Sequence, residues 1–258
     1  MDALCDDLAA EHDELDELVS AAPDLDAPTP APGWSIADQL SHLWYFDERA
    51  MEALREPDAF AASAAALLAA SDDPSVGRGR ALRRDALLAG WRTARAAFVD
   101  EARTLEPRQR IPWYGPPMSA RSFVTARLME TWAHGQDVAD ALGVRRTPTD
   151  RLRHVAHIGV GARAYSYIAN GRPPPDAPIR VELTAPAGDL WSWGPDGVPD
   201  RVAGPALDFC LVVTQRRHRD DVELAVEGAA ADEWIAIAQA FAGPPGPGRE
   251  PGAFGGRR

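Results

Sequence analysis

SFVTARLMETWAHGQDVADALG, residues 122–143, decides how this chain folds. The run predicts a long helix from Ser122 to about Leu142. Gly143 stops it, because glycine readily enters the left-handed conformation that closes helices. Within it Glu130 and His134 stand four residues apart. A helix turns once in about 3.6 residues, so the two side chains lie one above the other on a single face. One carboxylate oxygen and one imidazole nitrogen can therefore converge on a cation.

Upstream, ADQLSHLWYF (37–46) sets His42 in the middle of another helix. That helix is predicted from Ser35 to about Leu54. Ser35-Ile36-Ala37-Asp38 has capping-box character, with Asp in the place more usual for Glu or Gln. A histidine from a facing helix completes a three-ligand site with positions left open for water or substrate, the catalytic rather than the structural zinc arrangement. Bundles build such sites from inward side chains on facing helices. Leu40, Leu43 and Trp44 flank His42, and Leu128, Met129 and Trp132 flank Glu130 and His134. These polar groups thus sit on helices with buried faces, where a polar group without a partner is costly. E-x-x-x-H alone is a weak signal, and a lone core histidine is more often simply hydrogen-bonded; the two stretches together carry the reading. Asp38 and Asp137 are candidates to orient an imidazole, with a solvated surface acid as the alternative for each.

Working outward, helical spacing also marks 3–20, an Ala-rich 58–70, 81–104 and 149–170. The 81–104 helix is expected to bury Leu82, Leu87, Leu88, Trp91, Ala94, Phe98 and Val99. PDLDAPTPAPG (23–33), SDDPSVGRGR (71–80) and PRQRIPWYGPPMS (107–119) read as loops, the second ending in the start of the next helix. Beyond GRPPPDAP (171–178), a plausible linker, the pattern changes. IRVELTAP (179–186) alternates like a strand, DLWSWGP (189–195) is its hairpin partner and VELAVEG (222–228) a third strand. Ala206–Gln215 and ADEWIAIAQAFAG (231–243) read as helices. The fold class is therefore α plus α+β: a helical bundle over 1–172, a small α+β domain over 173–243 and a flexible Gly/Pro-rich tail over 244–258.

The 258 residues carry 27 basic and 39 acidic side chains, for a net charge of −12. That sign is opposite to the field a general nucleic-acid binder needs. Every basic residue is Arg, which excludes Schiff-base or amine chemistry on a lysine. Cys5 and Cys210 suggest no disulfide framework. No apolar run reaches the roughly 20 residues that span a bilayer, and the acidic start is unlike a leader. A cytoplasmic protein with no nucleic-acid and no membrane partner is expected.

With SHL (41–43) and RIPWYGPPMSARSFVTARLMETWAHGQDVADALG (110–143) in place, the chain resembles the DinB-like superfamily. More narrowly it resembles the mycothiol-dependent maleylpyruvate isomerase family and an actinobacterial metal-binding branch of it. The resemblance implies an up-down four-helix bundle holding a divalent metal, typically Zn²⁺, with ligands His42, Glu130 and His134. Ni²⁺, Fe²⁺ and Mn²⁺ also suit such ligands. It further implies mycothiol as a thiol cosubstrate. GPALDFCLVVTQRRHRDDVELAVEG (204–228) resembles the sterol-carrier-like domain appended to the isomerases, where an arginine binds an anionic substrate; the matching position is Arg216 or Arg217. The alternative for these is a solvated helix end whose cations complement the dipole. The same segment also resembles a domain named for wyosine base formation, but the acidic charge and the absence of a Cys-rich radical motif argue against that activity.

Trp113, Tyr114 and Met118 are candidates to line the pocket mouth and the cofactor, since loops at a bundle end form binding walls; for Trp113 plain packing onto the core is the alternative. Arg80, Arg83 and Arg84 are candidates for holding a carboxylate, with exposure as the alternative. His154 and His157 lack a third ligand and read as structural or surface. Cys210 reads as an inert buried thiol. The expected function is a metal-dependent enzyme that activates mycothiol for S-transfer to, or cis–trans isomerisation of, a small electrophile, which is expected to be anionic. The alternatives are a hydrolase using activated water and a non-catalytic metal- or lipid-binding protein. A monomer and a homodimer are both compatible with the sequence.

Overall fold

The computed structural model describes residues 1–69, 74–246 and 248–254. Two compact units divide between Val144 and Arg145. The first is helical: α1 (Asp2–Ala21), α2 (Ile36–Arg55), α3 (Pro57–Ala69), α4 (Gly77–Arg80), α5 (Arg84–Arg103) and α6 (Ala120–Leu142), with a hairpin of β1 (Arg110–Trp113) and β2 (Gly115–Ser119) before α6.

Four long helices form the bundle, with α6 against α1 and α2, and α5 against α2 and α1. Their apolar faces meet in one cluster that includes Leu15, Val19, Leu40, Leu43, Leu88, Trp91 and Val138. Each such side chain contributes about 1.5–3 kcal/mol by leaving water. α6 is buried on nearly every side from Phe123 to Ala139, as befits a helix packed on several neighbours. α2 begins with the expected capping box: Asp38 N–H donates to Ser35 Oγ, and Ser35 N–H donates to Asp38. The aspartate spans the box despite its shorter reach. Gly143 closes α6 at φ 66°.

Two expectations for this unit change. Leu82 is exposed, because α5 begins only at Arg84. The stretch 107–119 contains a two-stranded antiparallel hairpin, Arg110 opposite Ser119 and Ile111 opposite Met118. Its prolines are tolerated because a two-stranded ribbon is all edge. Residue 70 and residues 71–73 of the expected helix end and loop lie outside the described residues.

The second unit begins with α7 (Leu152–Gly161) and α8 (Arg163–Ala169). They occupy the span expected as one helix and break at Ala162. Then come β3 (Ile179–Thr184), β4 (Leu190–Trp193), β5 (Asp200–Pro205), α9 (Ala206–Val213), a 3-10 turn at Arg219–Asp221, β6 (Ala225–Glu227) and α10 (Ala229–Ile237). The sheet order is β4-β3-β5-β6, with β3 and β5 parallel and the other pairs antiparallel. α9 covers β3 and β5 and packs on α7. That packing, with Gly159 close against Phe209 and Val213, groups α7 and α8 with the sheet. The boundary thus falls at Val144, earlier than the 172 expected. β5 is a strand the sequence reading missed; only Val202 in DRVAGP advertises it. Of the tail, residues 247 and 255–258 lie outside the described residues. Among the described residues no helix is long and apolar enough to cross a membrane.

Candidate metal centre

α2 delivers His42 and α6 delivers Glu130 and His134 to one point. One ligand atom from each lies within 4.8 Å of the other two. His134 Nε2 is 3.4 Å from Glu130 Oε2. That is the edge of a tetrahedron around an ion with bonds of about 2.1 Å. The imidazole centroids are 4.5 Å apart. His134 is buried, while His42 and Glu130 keep part of their surface in solvent. The cluster therefore has an inner floor and an open side.

Each imidazole is held from behind. His134 Nδ1 meets Gln39 Oε1 at 2.5 Å, and Gln39 Nε2 donates to Thr29 Oγ1 at 2.9 Å. The amide donating to Thr29 turns its oxygen toward His134, so Nδ1 carries the proton and Nε2 faces Glu130. His42 Nδ1 meets Ser75 Oγ at 2.8 Å. Ser75 is itself pinned, since its carbonyl accepts from Ser41 Oγ and Ser41 Oγ accepts from Gly79 N–H. A hydrogen bond on the far nitrogen fixes tautomer and ring orientation in metal-binding histidines. Two imidazoles and a carboxylate, so braced, fit a borderline divalent cation such as zinc.

The bracing groups are not the ones anticipated. Asp38 is buried and engaged in the capping box and with Arg80, whose Nε donates to it at 2.8 Å. Burial pushes its carboxyl up, but the hydrogen bonds from Arg80 and Ser35 outweigh this and hold it below the usual range. It caps α2 rather than orienting His42. Asp137 is buried as well, not a solvated acid. Sequence reasoning missed Gln39, Ser75 and Trp34. Gln39 had a legible signal: it lies three residues before His42, on the same side of α2 and among apolar neighbours.

Aromatic rings surround the cluster. Trp34, just before α2, lies parallel to His134 at 5.8 Å and tilted against His42 at 5.1 Å. Phe46, one turn beyond His42, is 4.7 Å from it. Trp113 and Tyr114 reach Phe46 at 6.3 and 5.7 Å. The hairpin thus brings both residues to the helix face that carries His42. Met118 sits opposite Ile111 in the hairpin and is half-buried. Arg80 is committed to Asp38, and Arg84 donates to the carbonyls of Val19, Ser20 and Ala22 at the end of α1. Arg83 is the exposed N-cap of α5. Arg80 and Arg84 thus serve the scaffold.

In the second unit, Gln215 takes a left-handed φ of 58° in the place after a helix where glycine is common. The chain turns there, and the N–H groups of Arg216 and Arg217 donate back to Leu211 O. Arg217 is buried, its guanidinium 3.9 Å from the Phe254 ring, and Arg216 donates to Thr214 O. His154 is half-buried and His157 exposed. Cys210 is fully buried, and burial pushes its thiol well above the ordinary value, consistent with an inert group.

Residues 8–139 match the family model described as the mycothiol maleylpyruvate isomerase N-terminal domain. Residues 175–226 match a model described as wyosine base formation, the second of the two resemblances read in that segment. Two uncharacterized proteins of Mycobacterium tuberculosis, from strains H37Rv and CDC 1551, are each 49% identical over 94% of this chain and 96% of their own length. The solved mycothiol-dependent maleylpyruvate isomerase shares the fold at a TM-score of 0.56 and 12% identity, covering 87% of this chain and 92% of its own. A histidine-to-alanine mutant of such an isomerase matches at a TM-score of 0.54 and 13% identity, over 83% and 89%.

Proposed function

Because the chain belongs to the family of the mycothiol maleylpyruvate isomerase N-terminal domain, we propose that it is a divalent-metal-dependent enzyme that activates a low-molecular-weight thiol, mycothiol, against a small electrophile. The observation that carries this reading is the convergence of His42, Glu130 and His134, with a second partner behind each imidazole. A zinc ion bound there supplies a Lewis-acid position that lowers the pKa of a thiol. The chain's own thiols are no substitute: Cys5 and Cys210 are fully buried, and burial raises both.

His42, Glu130 and His134 hold the ion; Gln39 and Ser75 keep the imidazoles aimed. Trp113, Tyr114 and Met118 line the cosubstrate's approach. In isomerisation the thiolate sulfur bonds to one end of a conjugated cis double bond, and the π pair moves onto the conjugated carbonyl. Rotation follows, and return of the pair expels the thiolate, so no atom is gained or lost. In S-transfer the adduct is protonated at carbon by the proton the thiol gave up, and the S–C bond remains.

The test is product analysis by NMR on the zinc-loaded chain, with and without mycothiol, over cis-enones, quinones and epoxides. Thiol-dependent turnover that disappears in His42→Ala supports the reading. Turnover independent of thiol, or none with any electrophile, contradicts it.

A further inference from the structure

Large aromatic side chains in this unit differ in where they sit; Trp44, for one, packs on the bundle core beneath Arg78. Trp91, Phe98 and Phe123 are fully buried and make the core. Trp34, Phe46, Trp113 and Tyr114 are half-buried; the first two lie against the histidines and the other two against Phe46. Exposed aromatic surface collected at one place marks a binding wall.

This wall is braced. Trp113 stacks face to face on the fully buried Phe60, at 5.4 Å and 2°, and meets Phe123 edge-on at 5.0 Å. Tyr114 accepts a hydrogen bond from Arg49 Nε at 2.8 Å. The carbonyl of Trp34 accepts from both the N–H and the hydroxyl of Thr29. Thr29 is also the residue that Gln39 uses to face His134, so the indole and the imidazole share one support. His42, Phe46 and Arg49 follow at four- and three-residue steps along one face of α2. The cation on this wall is already committed, to Tyr114, Ser63 and Glu52. What the wall offers a guest next to the histidines is rigid π surface. Pre-set aromatic surface binds flat rings at little ordering cost.

We propose that Trp34 and Phe46, the latter backed by Trp113 and Tyr114, bind a planar conjugated ring of the substrate, so that the electrophile is of the quinone or aryl-enone class. This rests on the reading of His42, Glu130 and His134 as a metal site.

The test uses two zinc-binding probes that differ by a ring, benzohydroxamate and acetohydroxamate, titrated calorimetrically into the zinc-loaded full chain. The ring is expected to tighten binding by about tenfold. Trp34→Leu and Phe46→Leu, compared at equal zinc content, are expected to bring the ratio of the two dissociation constants down toward the small difference between the free chelators. Equal affinity of both probes for the unaltered chain overturns the inference while leaving the metal site standing. A ratio unchanged in both variants overturns it too. Binding of neither hydroxamate removes the metal reading, and this inference with it.

Discussion

Gln39→Leu separates an aimed histidine from one that merely sits near a carboxylate. Gln39 is fully buried and its Oε1 lies 2.5 Å from His134 Nδ1. Leucine fills a similar volume but accepts no hydrogen bond. While an ion holds Nε2, the ring stays in place and its buried Nδ1–H has lost its acceptor. That costs about 1–3 kcal/mol. Without an ion the ring can turn to another partner, so most of the cost falls on the ion-bound state. At about 1.4 kcal/mol per tenfold, zinc affinity should drop by about ten- to a hundredfold. Gln39→Glu keeps an acceptor for Nδ1 but loses the donor to Thr29, and should fall less. The assay is competition for zinc against a chromophoric chelator, with far-UV circular dichroism to check the fold. Affinity of Gln39→Leu within about twofold of the unaltered chain refutes the reasoning.

Other outcomes follow from the same geometry. Burial holds His12 neutral, well below the ordinary 6.5, with Arg95 and Arg127 pushing the same way. The unfolded chain gains a proton near that pH and the folded chain does not. Stability is therefore full above about 6.5 and falls as the pH drops, by up to about 1.4 kcal/mol per pH unit; His12→Gln should flatten this part of a urea-midpoint series. Arg127 Nη2 donates to Asp47 Oδ1 at 2.9 Å, both side chains buried, tying α6 to α2 beside the ligands. Burial raises the Asp47 carboxyl against the pull of Arg127. Asp47→Asn or Arg127→Met alone should cost about 3–5 kcal/mol in urea unfolding, and the double variant less than the sum. A Cβ at Gly79 would stand 2.7 Å from Ala37 O and 2.9 Å from Ser41 Cβ. Gly79→Ala should thus part the Ser75 segment from α2, costing about 1–3 kcal/mol by thermal unfolding and weakening zinc binding with it.

What the sequence disclosed was local. Glu130 and His134 share a face by helix geometry alone, Ser35 and Asp38 write their own cap, and Gly143 ends its helix wherever the rest of the chain goes. What it concealed was contact at a distance. Ser75 meets His42 across 33 residues, and nothing in PSVG announces it. Trp34 lies in a Pro-rich loop, where no periodicity shows which way an indole turns. β5 escaped because DRVAGP owes its strand to β3 and β6 on either side rather than to its own composition. The hairpin at 110–119 was hidden by prolines that exclude a central strand but not a ribbon edge. Asp38 was visible as a cap and as a candidate support for His42; only its ion pair with Arg80 decides between the two.

The central claim is that His42, Glu130 and His134 hold one ion with room for a guest. Anomalous diffraction at the zinc edge, from crystals of the zinc-loaded chain, tests it most directly. The account predicts a single strong peak about 2.0–2.2 Å from both histidine Nε2 atoms and a Glu130 carboxylate oxygen, with at least one further position taken by solvent. A peak ligated elsewhere, or none among these three side chains, would contradict it.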